Sequence, residues 1–320
     1  MAVTTNRKSE GTRSDEAPLV DRGGRGPLTY DHARFIDAAD GTRLFVGILD
    51  GPADSELPPA VLCDGIGCDG FVWAYLGPHL ARTRTVVHAH YRGHGRSGPP
   101  RDRGQLTIRG LAADMLRVLD ALEIERALLL GHSMGTQVEL ELHRAAADRV
   151  TGMILICGSW GRVTHTFHGH DALSQVLPTV RDVVRTHPAL ARALWGHVPP
   201  RLAFRLAKLS GEVDPAMLRS EDFHRYWQHI SDMEPEVFLQ LLDAAGDHSA
   251  EDHLSAVPVP CLVMTAEKDT FTPPEIARAM AERLEAGELF EIRGGSHAAP
   301  VEQPLAVQLR VDKFLLDHSL

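Results

Sequence analysis

Ala127-Leu128-Leu129-Leu130-Gly131-His132-Ser133-Met134-Gly135-Thr136 reads, within ten residues, as the end of a buried strand, a tight turn and the start of a helix. The apolar run has no polar face, as a strand covered on both sides requires. The serine sits between two glycines, each two residues away. A sharp strand-to-helix turn crowds its neighbours, so they must be small, and it lifts the serine Oγ clear of the sheet. The following helix starts there, and the backbone N–H of Met134 is free to hold a developing negative oxygen. Ser133 is therefore the candidate nucleophile.

A serine needs a base, and the base an orienting acid. In a strand–turn–helix setting both are expected later in the chain, the acid before the histidine. The apolar run 261–265 is followed by Ala266-Glu267-Lys268-Asp269, and the run 289–292 by Arg293-Gly294-Gly295-Ser296-His297. Both sets lie just past the carboxyl ends of strands, where open α/β sheets gather their functional groups. The chain has 18 histidines, so type alone means little. His297 is singled out by its place after a late strand and a Gly-Gly turn. Asp269 is the expected acid, with Glu267, nearer the strand end, as competitor.

Outward from this centre, strand-like runs occupy 34–38, 44–49, 60–63, 86–90, 127–130, 153–157, 261–265 and 289–292. The middle runs are continuously apolar. The first two alternate and suit an antiparallel edge hairpin across Ala39-Asp40-Gly41. Ile108, Leu111, Met115, Leu119 and Leu122 share a helical face with Thr107 as N-cap. Val307, Val311, Phe314 and Leu315 share another over 304–316. This alternation predicts a doubly wound, mostly parallel α/β sheet of about eight strands.

Between 158 and 257 no strand pattern occurs. Leu173, Val176, Leu177, Val180 and Val184 recur at helical spacing, as do Phe238, Leu239 and Leu242. A stretch this long is not a bare loop. It reads as a helical cap, cut into short helices by prolines at 178, 188, 199, 200, 215 and 235. The expected organisation is a loose arm over 1–30 with order beginning near Arg34, a core over 31–157, the cap over 158–257, and the rest of the core over 258–320. Trp160, Phe167, Trp195 and Trp227 are candidates for a lining role or for plain packing.

The net charge of −10 argues against nucleic acid or an anionic membrane as partner. Cys63, Cys68, Cys157 and Cys261 show no zinc spacing; a reducing compartment fits them best. No stretch is apolar enough to span a bilayer and the N-terminus lacks a secretory signal pattern, so a cytoplasmic location is expected. Self-association into a homo-oligomer is left open.

Four motifs in order, Tyr91-Arg92-Gly93-His94-Gly95-Arg96-Ser97, Gly131-His132-Ser133-Met134-Gly135, Glu267-Lys268-Asp269 and Gly294-Gly295-Ser296-His297, resemble those of the α/β-hydrolase superfamily. The resemblance covers about residues 31–318. It implies the α/β-hydrolase fold, a Ser-His-Asp triad of Ser133, His297 and Asp269, and no metal or organic cofactor. It also implies a second oxyanion donor on the loop Cys63-Asp64-Gly65-Ile66-Gly67-Cys68, namely the Ile66 N–H beside that of Met134. The family usually has histidine where Asp64 stands. A carboxylate beside an oxyanion is unfavourable, so Asp64 is expected to turn away, neutralised by Arg92. His90 stands where the family commonly has aspartate. Ser133 argues against the dehalogenases and epoxide hydrolases, whose nucleophile is aspartate, and Gly67 stands where haloperoxidases have proline. The expected activity is carboxylesterase-like hydrolysis of a small-molecule ester. A lactonase, thioesterase or C–C bond hydrolase shares the triad, and a non-catalytic binding protein on this fold is the alternative outside catalysis.

Overall fold

The structure is a computed structural model that describes residues 28–166, 172–195 and 220–320, with isolated positions between 196 and 219. Eight strands form one sheet: β1 His32–Asp37, β2 Arg43–Leu49, β3 Ala60–Cys63, β4 Val86–Ala89, β5 Ala127–His132, β6 Val150–Ile156, β7 Cys261–Ala266 and β8 Gly287–Ile292. Their order across the sheet is β1-β2-β4-β3-β5-β6-β7-β8. β1 and β2 pair antiparallel, as do β2 and β4, and every later pair is parallel. The expected edge hairpin is present. Its turn closes through Ala38 N–H to Thr42 O at 2.9 Å, with Gly41 at φ 78°, a conformation that favours glycine.

The continuous apolar runs are explained by two cores. In β3, Ala60 and Leu62 face one core and Val61 and Cys63 the other; in β5, Leu128 and Leu130 oppose Ala127 and Leu129. Helices α1 (Leu76–Leu80) and, at the chain's end, Pro304–Asp317 bury Leu76, Leu80, Val307, Val311 and Phe314 in one core. Helices α2 (Ile108–Ala121) and α3 (Met134–Ala145) bury Leu111, Met115, Val138 and Leu142 in the other. Thr107 caps α2, its hydroxyl accepting the Gly110 N–H at 3.0 Å, a contact worth about 1 kcal/mol.

Between β6 and β7 come α4 (Val163–Thr166), α5 (Ala172–Thr186), α6 (Pro188–Trp195), α7 (Ser220–Asp232) and α8 (Pro235–Asp247). The chain then continues through α9 (Pro274–Arg283), α10 (Ala299–Glu302) and α11 (Pro304–Asp317). Pro188 and Pro235 each open a helix, where a missing N–H costs nothing. Pro178 differs from expectation: it lies inside α5, which runs on through it to Thr186. Pro200, Pro215 and Phe167 lie outside the described residues.

Order also begins earlier than expected. Leu28 and Tyr30 are buried and β1 starts at His32. A loose arm lasting to residue 30 is thus corrected at its end: Leu28 packs near Gly77 and Gly70, and Tyr30 packs edge-on to Phe45, ring centroids 5.7 Å apart. Two single apolar residues in a polar stretch carry no periodicity, so the pattern could not reveal them. Residues 1–27 lie outside the described residues. No described helix is long and apolar enough to cross a membrane.

Candidate active site

The sheet order reverses between β3 and β5: β4 lies on one side of β3 and β5 on the other. A crevice opens at the carboxyl ends of strands at such a switch point. Ser133 stands there, directly after β5, with φ 54° and ψ −119°. Positive φ is strained for any residue with a Cβ. The glycines make this turn feasible. A Cβ on Gly135 would lie 2.0 Å from the Cys63 carbonyl oxygen, and one on Gly131 would lie 2.6 Å from Gly135 backbone atoms. The Ser133 N–H is used by the Ile156 carbonyl at 3.0 Å. The Met134 N–H opens α3 and has no acceptor within the helix.

His297 Nε2 lies 2.9 Å from Ser133 Oγ. Its Nδ1 lies 3.0 and 2.9 Å from the two oxygens of Asp269. A carboxylate at Nδ1 places the proton there and leaves Nε2 to accept from the serine hydroxyl. Asp269 is itself fixed: Oδ1 accepts the Phe271 and Thr272 N–H groups, both at 2.9 Å, and Oδ2 the Thr272 hydroxyl at 2.8 Å. Glu267, the competitor, is turned elsewhere and accepts the Gly294 N–H at 2.8 Å. The sequence-expected residues Ser133, His297 and Asp269 are thus brought together.

His132 adds a contact that its motif position did not announce. Its Nε2 meets the His297 carbonyl at 3.0 Å, anchoring the backbone of that residue. Burial and the neighbouring His297 push the His132 pKa down to about 4, so the ring is neutral around pH 7. The Phe271 ring also packs on His297, the centroids 4.9 Å apart.

The loop after β3 runs against the turn. A Cβ on Gly65 would sit 3.2 Å from Ser133 Cβ, so the loop backbone passes close beside the serine. Asp64 is fully buried and does not line the cavity that Gly65 and Ile66 line. Its partners correct the expectation of Arg92. Asp64 accepts from Trp73 Nε1 at 2.8 Å and from His88 Nε2 at 2.8 Å; His88 Nδ1 in turn meets the Tyr30 hydroxyl at 2.6 Å. Arg92 instead makes a two-pronged contact to Asp114, at 2.8 and 2.7 Å, and reaches Asp40 at 2.8 Å. One of the two partners of Asp64, His88, comes from strand β4, a cross-sheet contact with no signature along the chain. His90 accepts the Arg96 N–H through Nδ1 at 2.9 Å, a turn-closing role that an aspartate could also fill. His94 accepts the Gly67 N–H through Nε2 at 3.2 Å and so ties the loop from its far side.

Ser133 and His297 open into a cavity of about 1090 Å³. Its floor is Gly65, Ile66, His132 and Met134; α5 to α8 supply its walls and roof. Trp195 and Trp227 line it. Trp160 does not; it carries the Arg283 guanidinium 4.9 Å over its ring. Among the described residues no cluster of His, Cys, Asp or Glu could hold a metal ion, and the four cysteines are free and buried.

The family model for the alpha/beta hydrolase fold matches residues 58–304. The chain belongs to the α/β-hydrolase fold family. A relative from Caulobacter sp. (strain K31), carried under the carbamate hydrolase name RutD, is 27% identical over 278 residues, covering 85% of this chain and 95% of its own. Among solved structures, a hydrolase from Pseudomonas aeruginosa PA01 matches with TM-score 0.68 and 25% identity over 88% of this chain and 98% of its own. A thermophilic esterase from Thermogutta terrifontis shares the fold, with TM-score 0.71 and 21% identity over 90% of this chain and 99% of its own.

Proposed function

We propose that the chain is a serine hydrolase that cleaves carboxylic esters through an acyl-enzyme. The observation that carries this reading is the unbroken hydrogen-bond chain from Asp269 through His297 to Ser133, ending at 2.9 Å on the serine oxygen in the floor of a cavity. His297 Nε2 takes the Ser133 proton as Oγ attacks the ester carbonyl. Asp269 holds the imidazole tautomer and steadies the imidazolium. The Met134 and Ile66 N–H groups receive the oxyanion. His297 then protonates the departing alcohol, and in the second half activates water to release the acid. The helices between β6 and β7 serve as the cap that shapes the substrate site. Lactones, thioesters and activated C–C bonds are open to the same machinery, and hydrolysis of carbamates, suggested by the name of the Caulobacter relative, would use it too.

The test is hydrolysis of p-nitrophenyl esters by wild type and Ser133→Ala. Loss of a serine nucleophile is expected to lower kcat by about 10⁶-fold. Undiminished turnover in the variant would remove Ser133 from the role. A wild type inert towards every ester would refute the esterase reading.

A further inference from the structure

We propose that the substrate is a neutral, lipophilic ester carrying a medium-to-long apolar chain, and that anionic or small polar acyl compounds are poor substrates. The proposal rests on Ser133 being the nucleophile and concerns what the space above it accepts. Among the described residues lining that space there is no Asp, Glu, Lys or Arg. A substrate carboxylate or phosphate entering it would lose its water and find no lysine or arginine among those residues, a strongly unfavourable exchange. Among them are three imidazoles: His297, His132, which burial keeps neutral, and His187, on the exposed connection between α5 and α6.

What the walls offer is apolar area. On one side Phe223 and Trp227 lie near-parallel at 6°, ring centroids 6.4 Å apart. On another, Trp195 packs on Phe238 with centroids 5.3 Å apart. The Trp195 N–H is spent on the Ile230 carbonyl at 2.7 Å, so this indole brings its hydrocarbon body and no spare donor. The apolar lining continues to the rim: Val183, Leu190 and Leu194 belong to the cavity yet are 55%, 56% and 63% exposed. Exposed apolar side chains gathered around a cavity mark a ligand route. The volume, about 1090 Å³, lies just above the range of about 300–1,000 Å³ typical of small-molecule sites. A carbamate or acetate would leave most of it unfilled.

The experiment is a p-nitrophenyl ester series from acetate to decanoate, with p-nitrophenyl octanoate set against the mono-p-nitrophenyl ester of suberic acid, an equally long chain ending in carboxylate. Each methylene buried in the cavity is expected to raise kcat/KM by about fourfold. Octanoate should exceed suberate by at least about a hundredfold. Leu242→Arg, on the half-buried wall, and Val183→Arg, on the exposed rim where a charged residue is tolerated, should each cut the octanoate-to-suberate ratio by about tenfold or more. A series that is flat or falls with length, or a suberate ester used as well as octanoate, overturns the proposal while Ser133-dependent turnover leaves the hydrolase reading intact. If no ester is turned over, the esterase reading fails by itself. The cavity is then tested by calorimetry on Ser133→Ala: tighter binding of the octanoate ester than of the suberate ester supports it, and equal or reversed affinities overturn it.

Discussion

Replacing Gly135 by alanine puts a methyl group 2.0 Å from the Cys63 carbonyl oxygen, 2.7 Å from its carbonyl carbon and 2.8 Å from the Asp64 carbonyl oxygen. All three are backbone atoms, so no side chain can swing aside. The contact must open to about 3.4 Å, an ordinary van der Waals distance, which separates the start of α3 from the end of β3 by about 1.4 Å. That joint carries both proposed oxyanion donors, Met134 on α3 and Ile66 on the loop after β3. A misplacement of about 1 Å can cost a hundredfold in rate, and loss of one oxyanion donor costs about 10²–10³ in kcat. Overpacking itself costs about 1–3 kcal/mol. Gly135→Ala is therefore expected to fold with a melting temperature lowered by several degrees and to hydrolyse a p-nitrophenyl ester at least about a hundredfold more slowly, mainly in kcat. The assay pairs steady-state kinetics with thermal unfolding of the same sample. A folded variant with wild-type kcat would refute the argument that the two backbones are in register for oxyanion binding.

Asp269→Asn is expected to lower kcat by about 10⁴-fold by misplacing the His297 proton, whereas Glu267→Gln should stay within a few fold; equal effects in steady-state kinetics would reopen the choice of acid. Arg92→Ala leaves Asp114 and Asp40 without their buried partner and should cost about 3–5 kcal/mol in urea unfolding; no change in midpoint would count against the network. Burial holds the His94 and His132 pKa values at about 4, below the ordinary 6.5. The unfolded chain therefore takes up protons first as pH falls. Stability contributed by each neutral ring is full above about pH 6.5 and is lost progressively down to about pH 4, up to about 3 kcal/mol per ring. His94→Gln should flatten that stretch of the stability profile, and a slope unchanged from wild type would show that His94 titrates normally.

The strands were legible because burial on both faces leaves a mark that burial on one face does not. Runs such as 60–63 and 127–130 are apolar at every position since alternate side chains enter different cores. The tight turn after β5 was legible because its glycines are demanded by backbone contacts, and the placement of Asp269 and His297 at one edge of the sheet because each follows a strand closely. Long-range pairing was not legible. Asp64 and Arg92 are complementary in charge, but the side chains that meet Asp64 are Trp73 and, one strand over, His88, and Arg92 is claimed by Asp114 on α2. Pro178 misled for another reason: a proline forfeits one helical hydrogen bond, and neighbouring packing can outweigh that loss.

Ser133 and His297 are 164 positions apart in the chain yet 2.9 Å apart in space, and β5, β6, β7 and β8 must all be laid side by side before they meet. Contacts of such long sequence separation form late, after the entropy of closing the intervening loops has been overcome. On the proposed mechanism, a ribosome-bound chain that has not yet released its last strand holds a nucleophile with no base. Such a chain would be chemically silent during its own synthesis, and the return of activity after denaturation would time the docking of β8 rather than the first collapse.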